Sequence, residues 1–345
     1  MIKAGIIGAT GYAGQMLNWI LLKHPSAEVV FLNAHSNAGV KYEEIYNNYI
    51  GFSDFTTVSL AEAEEMLSEI NVLFISLPHG KSFEIAQKAV GLGVKVIDLG
   101  ADYRLKDVEE YESWYGVKHE NKPLLDEAVY GLVELNRQFI RDARIVGNPG
   151  CYPTASILAL APLLSEGLID TKSIIIDAKS GVSGAGRNAS VQNLFCEVNE
   201  SVKAYGIGSH RHTPEIEQML NSIAGEEFNI SFTPHLIPMN RGILATCYAG
   251  VKKPVTQQDI DSLFKDFYCD SSFVKYINIP PETRNVKGTN LCHIYAKLDS
   301  RTGRIVVVSA IDNLIKGAAG QAVQCMNLMF GLQEDTGLNL VAVVP

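Results

Sequence analysis

Short apolar runs alternate with segments of helical period through the first hundred residues. The pattern predicts strands at 4–7, 28–32, 72–77 and 94–99, with helices at 16–22, 60–67 and 82–92 between them. Alternating strands and helices imply a parallel sheet covered by helices on both faces, an α/β domain of the Rossmann type. A further strand at 144–146 leads straight into Gly147-Asn148-Pro149-Gly150-Cys151-Tyr152-Pro153-Thr154, whose Gly and Pro residues break any regular element before an apolar helix begins. From Ser173 the texture changes. Strand-like runs at 174–176, 229–233, 242–248, 291–298 and 304–308 follow with few long helices between them, predicting an α+β domain with a mostly antiparallel sheet. A last helix starts at Asn313 and runs towards Phe330, rich in small residues suited to close packing.

The length of 345 residues agrees with two domains, at about 150 residues per domain. The chain holds 29 basic against 38 acidic side chains, and its net charge of −9 argues against a nucleic-acid or anionic-membrane surface. No apolar stretch is long enough to span a bilayer, and the N-terminus enters a strand with no signal-peptide pattern, so a cytoplasmic protein is expected. The six cysteines include no Cys-x-x-Cys pair, which indicates neither a structural zinc nor a disulfide framework, and no metal is expected.

Against that background three segments carry chemistry. Gly8, Gly11 and Gly14 follow the first strand and open a helix, so Gly8-Ala9-Thr10-Gly11-Tyr12-Ala13-Gly14 reads as a variant of the dinucleotide fingerprint. The second strand ends in Asn33-Ala34-His35-Ser36-Asn37-Ala38-Gly39-Val40-Lys41 with no acidic residue for an NAD ribose, which favours NADP, with Ser36 beside the 2′-phosphate. Cys151 stands where a tight turn meets a helix N-terminus, whose partial positive charge favours thiolate and lowers a thiol pKa from about 8.5.

In the second half, Ser209-His210-Arg211-His212-Thr213-Pro214-Glu215 precedes a helix, with Thr213 as the expected N-cap and Pro214 at the first helical position. His210 and His212 are both candidates for proton transfer, and the residues alone do not choose between them. Arg211 adds a fixed charge for phosphate or carboxylate. The loop Asp177 to Arg187 offers Lys179, Ser180, Arg187 and glycine N–H groups to an anionic substrate.

These motifs, together with Leu77-Pro78-His79-Gly80, Asp98 to Leu105, Pro234 to Gly242 and Asp312 to Gln321, make the chain resemble the N-acetyl-γ-glutamyl-phosphate reductases over essentially its whole length. The resemblance implies an NADP-binding domain of residues 1–149 and 313–345, a catalytic and oligomerisation domain of residues 150–312, and a homodimer or homotetramer. It implies cofactor contacts from Gly8, Thr10, Gly11, Tyr12, Ala13, Gly14, Ser36, Pro78 and Asn313. Arg104, Lys179, Ser180, Arg187, Arg211 and Arg241 become candidates to hold the substrate. Cys151 would attack an acyl phosphate, release phosphate and carry a thioester, with His210 or His212 as proton donor. His35 and Gly100 depart from the usual pattern, Gly100 replacing serine. Two rivals remain: a reductase of carrier-protein-linked aminoadipyl phosphate, and a non-catalytic NADP-binding sensor.

Overall fold

The structure is a computed structural model describing residues 1–344. Two compact units emerge, the first made of residues 1–149 with Ala318–Asn339 and the second of Gly150–Gly317 with 340–344.

The first unit is built on six strands: β1 (Ile2–Ile7), β2 (Ala27–Leu32), β3 (Val72–Ile75), β4 (Lys95–Asp98), β5 (Val129–Tyr130) and β6 (Ile145–Gly147). They lie in the order β2-β1-β3-β4-β6-β5 and every neighbouring pair is parallel, as the alternating pattern predicts. β3 is buried at every position, since a parallel sheet is covered on both faces. The first helix spans Tyr12–Leu21, earlier than expected, because Gly11 adopts the extended N-cap conformation directly after the glycine turn.

The chain returns to this unit through the helix Gly320–Met329, all of whose residues are buried. Its polar side chains explain the docking. Gln321 Nε2 donates to Gly131 O at 2.6 Å, and Asn327 donates to the carbonyls of Glu334 and Thr336 while its Oδ1 meets His24 Nε2 at 3.0 Å.

Seven strands form the sheet of the second unit: β7 (Ile175–Ser180), β8 (Lys203–Ala204), β9 (Ser231–Leu236), β10 (Ile243–Gly250), β11 (Val274–Tyr276), β12 (Cys292–Asp299) and β13 (Arg304–Ile311). Their order is β11-β12-β13-β10-β7-β9-β8, antiparallel except at β11/β12 and β7/β9, so the sheet is mixed and mostly antiparallel. The helix Cys151–Ser165 packs on β10 and β13 and against the helix Thr213–Ala224.

Differences from the sequence reading have local causes. β5, β8 and β11 are too short to show alternation. Residues 313–317 fold with the second unit, as do 340–344, where residues 313–345 were expected to return together. The Asp312 carboxylate receives the N–H groups of Leu314 (2.8 Å) and Ile315 (3.1 Å), and Gly317 N–H reaches Asp312 O at 2.9 Å. That last bond widens Ile315–Ala319 into a π-helical turn, and the regular helix starts only at Gly320.

Asp98 ends β4 without exposed surface, and burial followed by the Asp102 charge pushes its carboxyl up to about 7. Gly100 N–H, donating at 3.0 Å, and the Arg104 charge oppose that shift, while Tyr103 and Tyr111 are the other titratable neighbours. With its folded pKa raised above the ordinary 3.8, Asp98 leaves stability intact below that value and erodes it as pH climbs to about 7. The melting temperature of Asp98→Asn should therefore gain on that of the native chain from pH 4 to pH 7 and run parallel to it above, in calorimetric scans. A pH-independent difference would show that Asp98 ionises normally.

Candidate functional site

In the first unit the glycine turn sits at the carboxyl edge of the parallel sheet, between β1 and the helix Tyr12–Leu21. Gly8 has φ +78°, and a Cβ there would lie 2.3 Å from Ser76 O; a Cβ on Gly14 would lie 2.3 Å from Gly8 O. Only glycine lets the turn, the next strand and the helix approach this closely. No side chain caps the helix at Gly11, so its terminus suits an anion. Three tyrosines absent from the sequence reading brace the turn: Tyr42, Tyr46 and Tyr49 donate to the carbonyls of Ala9, Thr10 and Gln15 at 2.8, 2.9 and 2.9 Å. Their rings also pack on one another, with centroids 5.0 to 6.4 Å apart.

Because β1, β2 and β3 are parallel, Ser36 and Pro78 lie in loops at the same carboxyl edge, and both are exposed. The strand order reverses at β1, which puts the glycine turn at the switch point where α/β sheets bind ligands. Arg104 is buried and its donors brace backbone: Nε meets Asn148 O at 2.7 Å and Nη2 meets Leu99 O at 2.8 Å. It thereby fixes the turn that runs towards Cys151.

In the second unit Cys151 is the first residue of its helix, partly exposed, with Gly150 as an N-cap that bears no side chain. Gly150 is held on two sides. Its N–H donates to the fully buried Glu215 carboxylate at 2.7 Å, and a Cβ at this position would lie 2.4 Å from His212 Nε2. Gly317 approaches from the π-helical turn, where a Cβ would stand 2.7 Å from that of Cys151. His212, rather than Thr213, is the N-cap of its helix; Thr213 and Pro214 occupy the first two helical positions. The imidazole is thus carried to the Gly150–Cys151 turn by one helix start, while Glu215 reaches the same turn from the next residues along.

His210 has a different environment. Its Nδ1 accepts the His212 N–H at 3.1 Å, and its ring packs against Tyr152, Tyr205, His212 and Phe232 with centroids 4.9 to 5.5 Å away. Burial, aided by the Arg211 charge, drives its pKa down to about 4. At neutral pH it is an uncharged acceptor that orders the His212 turn. Tyr152 OH and Tyr205 OH lie 3.0 Å apart; burial raises both phenols, Tyr205 to about 12, and the Cys151 charge adds to both shifts.

The remaining candidates separate. Ser180 is buried within hydrogen-bonding reach of Tyr152, whereas Lys179 points to the opposite face of β7 and pairs with Asp177 at 2.6 Å. The structure therefore does not bring Lys179 to the face that carries Ser180. Arg187 and Arg211 are exposed. Arg241 Nη2 donates to Asp312 at 2.9 Å, and Asp312 also receives Gly288 N–H at 2.6 Å. Asn313, expected at the cofactor, uses both ends of its carboxamide inside the second unit: Gly242 N–H donates to it at 2.7 Å and it donates to Ser183 Oγ at 3.0 Å. Glu215 and Tyr152 were visible within their motifs as letters, but nothing in the spacing marked them as partners of the turn.

A dinucleotide-binding unit of parallel strands and a second unit carrying a cysteine at a helix head define a semialdehyde dehydrogenase. The family model "Semialdehyde dehydrogenase, NAD binding domain" matches residues 3–143, and "Semialdehyde dehydrogenase, dimerisation domain" matches 151–313. The fold is that of aspartate semialdehyde dehydrogenase II from Vibrio cholerae, at a TM-score of 0.72, 18% identity and coverage of 96% of this chain and 99% of that one. Proteins named N-acetyl-gamma-glutamyl-phosphate reductase are far more similar in sequence. The one from Clostridium novyi (strain NT) is 51% identical over the full length of both chains. That of Pelotomaculum thermopropionicum is 52% identical over 98% of this chain and 97% of its own. The chain belongs to the N-acetyl-gamma-glutamyl-phosphate reductase family, and it is an oxidoreductase.

The thiols should differ sharply in reactivity. Cys247, Cys292 and Cys325 are buried, with burial pushing Cys247 up to about 12, while Cys196 and Cys269 are exposed but stand at no helix head opposite an imidazole. Limited alkylation at pH 7 followed by peptide mass mapping should mark Cys151 first and leave the three buried thiols unmodified. Labelling of Cys196 or Cys269 ahead of Cys151 would mean that the helix terminus does not activate it.

Proposed function

We propose that this chain reduces N-acetyl-γ-glutamyl phosphate to N-acetyl-L-glutamate 5-semialdehyde and phosphate in arginine biosynthesis, using NADPH and a Cys151 thioester. The observation that carries the reading is Gly150, pinned by Glu215 and covered by His212, which sets Cys151 at an uncapped helix head in a chain half identical to named reductases along its whole length. Cys151 Sγ attacks the γ-acyl carbon, the carbon–oxygen bond to phosphate breaks, and a thioester forms. The first-turn N–H groups of the Cys151 helix are oriented to stabilise the oxyanion of the tetrahedral intermediate. His212 holds and returns the proton at Nε2, and His210 positions it. Bound NADPH supplies the hydride that takes the thioester to the aldehyde level. Gly8, Gly11 and Gly14, with the N–H groups of Tyr12 and Ala13, fit the pyrophosphate.

Ser180 and Arg241 stand on the nucleophile's unit as the substrate contacts best supported by position, and Arg104 acts from the first unit through the Asn148 turn. The second unit is the region of self-association, as a homodimer or homotetramer. Six free thiols, one of them a nucleophile, suit the reducing cytoplasm, and among the described residues no helix is long and apolar enough to cross a membrane.

Oxidation of N-acetyl-glutamate semialdehyde with NADP and phosphate, followed at 340 nm, tests the reading. The native chain should turn over, and Cys151→Ala should be inactive while binding NADPH normally; an inactive native chain that binds the cofactor would refute it. His212→Asn should lower kcat by about 100-fold or more, the range of a general acid–base group, and His210→Asn should cost less. The reverse order would transfer the proton role to His210.

The exposed loop after β2 holds Ser36 and no carboxylate between Asn33 and Lys41, which supports NADP over NAD. NADPH should be favoured by at least about 10-fold in kcat/KM, about 1.4 kcal/mol, and Ser36→Asp should reverse that preference. An unchanged preference in the variant would place the 2′-phosphate elsewhere.

A further inference from the structure

In the first unit, the loop that follows β3 spends its donors on a carboxylate from beyond the next strand. Asp102 is 1% exposed. Its Oδ1 accepts Gly80 N–H and Tyr111 OH, each at 2.7 Å, and its Oδ2 accepts Ser82 Oγ–H at 2.7 Å and Ser82 N–H at 3.2 Å. Ser82 holds the N-cap position of the helix Phe83–Gly91 but makes no side-chain cap there, because its buried hydroxyl goes to Asp102 instead. The head of that helix is therefore closed by a carboxylate from another segment.

The same segment grips the loop at two further points. Gly80 has φ +76°, and a Cβ there would lie 2.6 Å from Val117 Cγ1, while the His79 ring meets that of Tyr115 at 5.4 Å. Tyr115 stacks on Tyr111 at 5.0 Å, and His119 Nε2 lies 2.8 Å from Asp102 O, so Asp102 is itself fixed on both sides. A buried carboxylate that satisfies four donors is costly to disturb. What the loop leaves exposed is Pro78, at the carboxyl edge of the sheet, and Lys81.

We propose that Asp102 is a positioning residue for the cofactor, setting the loop of residues 77–82 and, through it, the nicotinamide half of NADPH. The inference rests on the NADPH reading above. β2 and β3 flank β1 on opposite sides. A dinucleotide with its pyrophosphate on the glycine turn and its adenosine ribose at the end of β2 extends its other half over the end of β3, where Pro78 is presented. Asp102 acts there in two ways. It orients the loop, and by taking the Gly80 and Ser82 N–H groups it closes the head of the helix Phe83–Gly91 to phosphate, leaving the uncapped head at Gly11 for that charge. The adenosine side is braced separately, by Tyr42 and Tyr46 on the glycine turn.

Asp102→Asn keeps the shape of the side chain, but its single carbonyl oxygen offers two lone pairs to four donors and its amide N–H groups oppose the rest. NADPH affinity, from fluorescence titration, should fall about 10-fold, while adenosine 2′,5′-bisphosphate, which carries the adenosine side alone, should bind with native affinity in calorimetry. Amide exchange of residues 77–82 should quicken in the variant without cofactor, and that of 8–14 should not. Ser82→Ala removes one donor and should lower NADPH affinity about 3-fold in the same pattern. Folded variants that hold NADPH as the native chain does would overturn the inference. A loss shared equally by both ligands would overturn it too, because general destabilisation does not distinguish the two halves of the cofactor. Should Asp102→Asn fail to fold, Ser82→Ala decides by the same comparison. A native chain that binds NADPH without turning over would refute the reductase reading and leave Asp102 to be judged on binding; one that binds no NADPH overturns both.

Discussion

The absence of a side chain at Gly150 is the constraint on which the Cys151 turn depends. His212 Nε2 comes within 2.4 Å of where a Cβ would stand, and Glu215 takes the Gly150 N–H at 2.7 Å from the same helix start. Any larger residue would push the imidazole away from the turn. A carboxylate with no exposed surface is costly to bury unless it is hydrogen-bonded, so Glu215 and the Gly150 N–H stabilise each other only in this arrangement. The helix Cys151–Ser165 then keeps its head partly exposed while residues 152–164 are buried.

The same logic of close approach runs through the first unit. Gly8 and Gly14 let strand and helix meet at distances no other residue permits, and Tyr42 and Tyr46 brace the turn by donating to its carbonyls while Tyr49 donates to Gln15 O in the helix that follows. A turn pre-organised in this way loses little conformational freedom on meeting an anion. Arg104 extends the bracing to Asn148, two residues before Gly150.

Asp312 plays the corresponding part in the second unit. Its carboxylate gathers Arg241, Gly288, Leu314 and Ile315, and its carbonyl draws in Gly317, so the chain is held through a π-helical turn before it leaves for the first unit. That turn is what delivers Gly317 against Cys151. Widening a helix by one residue is unfavourable in isolation; here five donors converging on one buried residue enforce it.

Sequence alone determined the two architectures, because the period of apolar positions is fixed by backbone geometry: strands and helices in alternation gave a parallel sheet, and closely spaced strands gave a mostly antiparallel one. It also determined the chemistry-bearing letters, since Gly8, Gly11 and Gly14 before a helix and Cys151 after Gly150 are local patterns whose neighbours in sequence are their neighbours in space. Only the tertiary structure decided which histidine meets the Gly150 turn, that Lys179 faces away from Ser180, that Asn313 braces the second unit, and that Glu215, Asp312 and the three tyrosines hold the turns around them. Those choices depend on contacts between residues tens to hundreds apart in sequence, and on which face of a strand or helix is covered, neither of which a local pattern encodes.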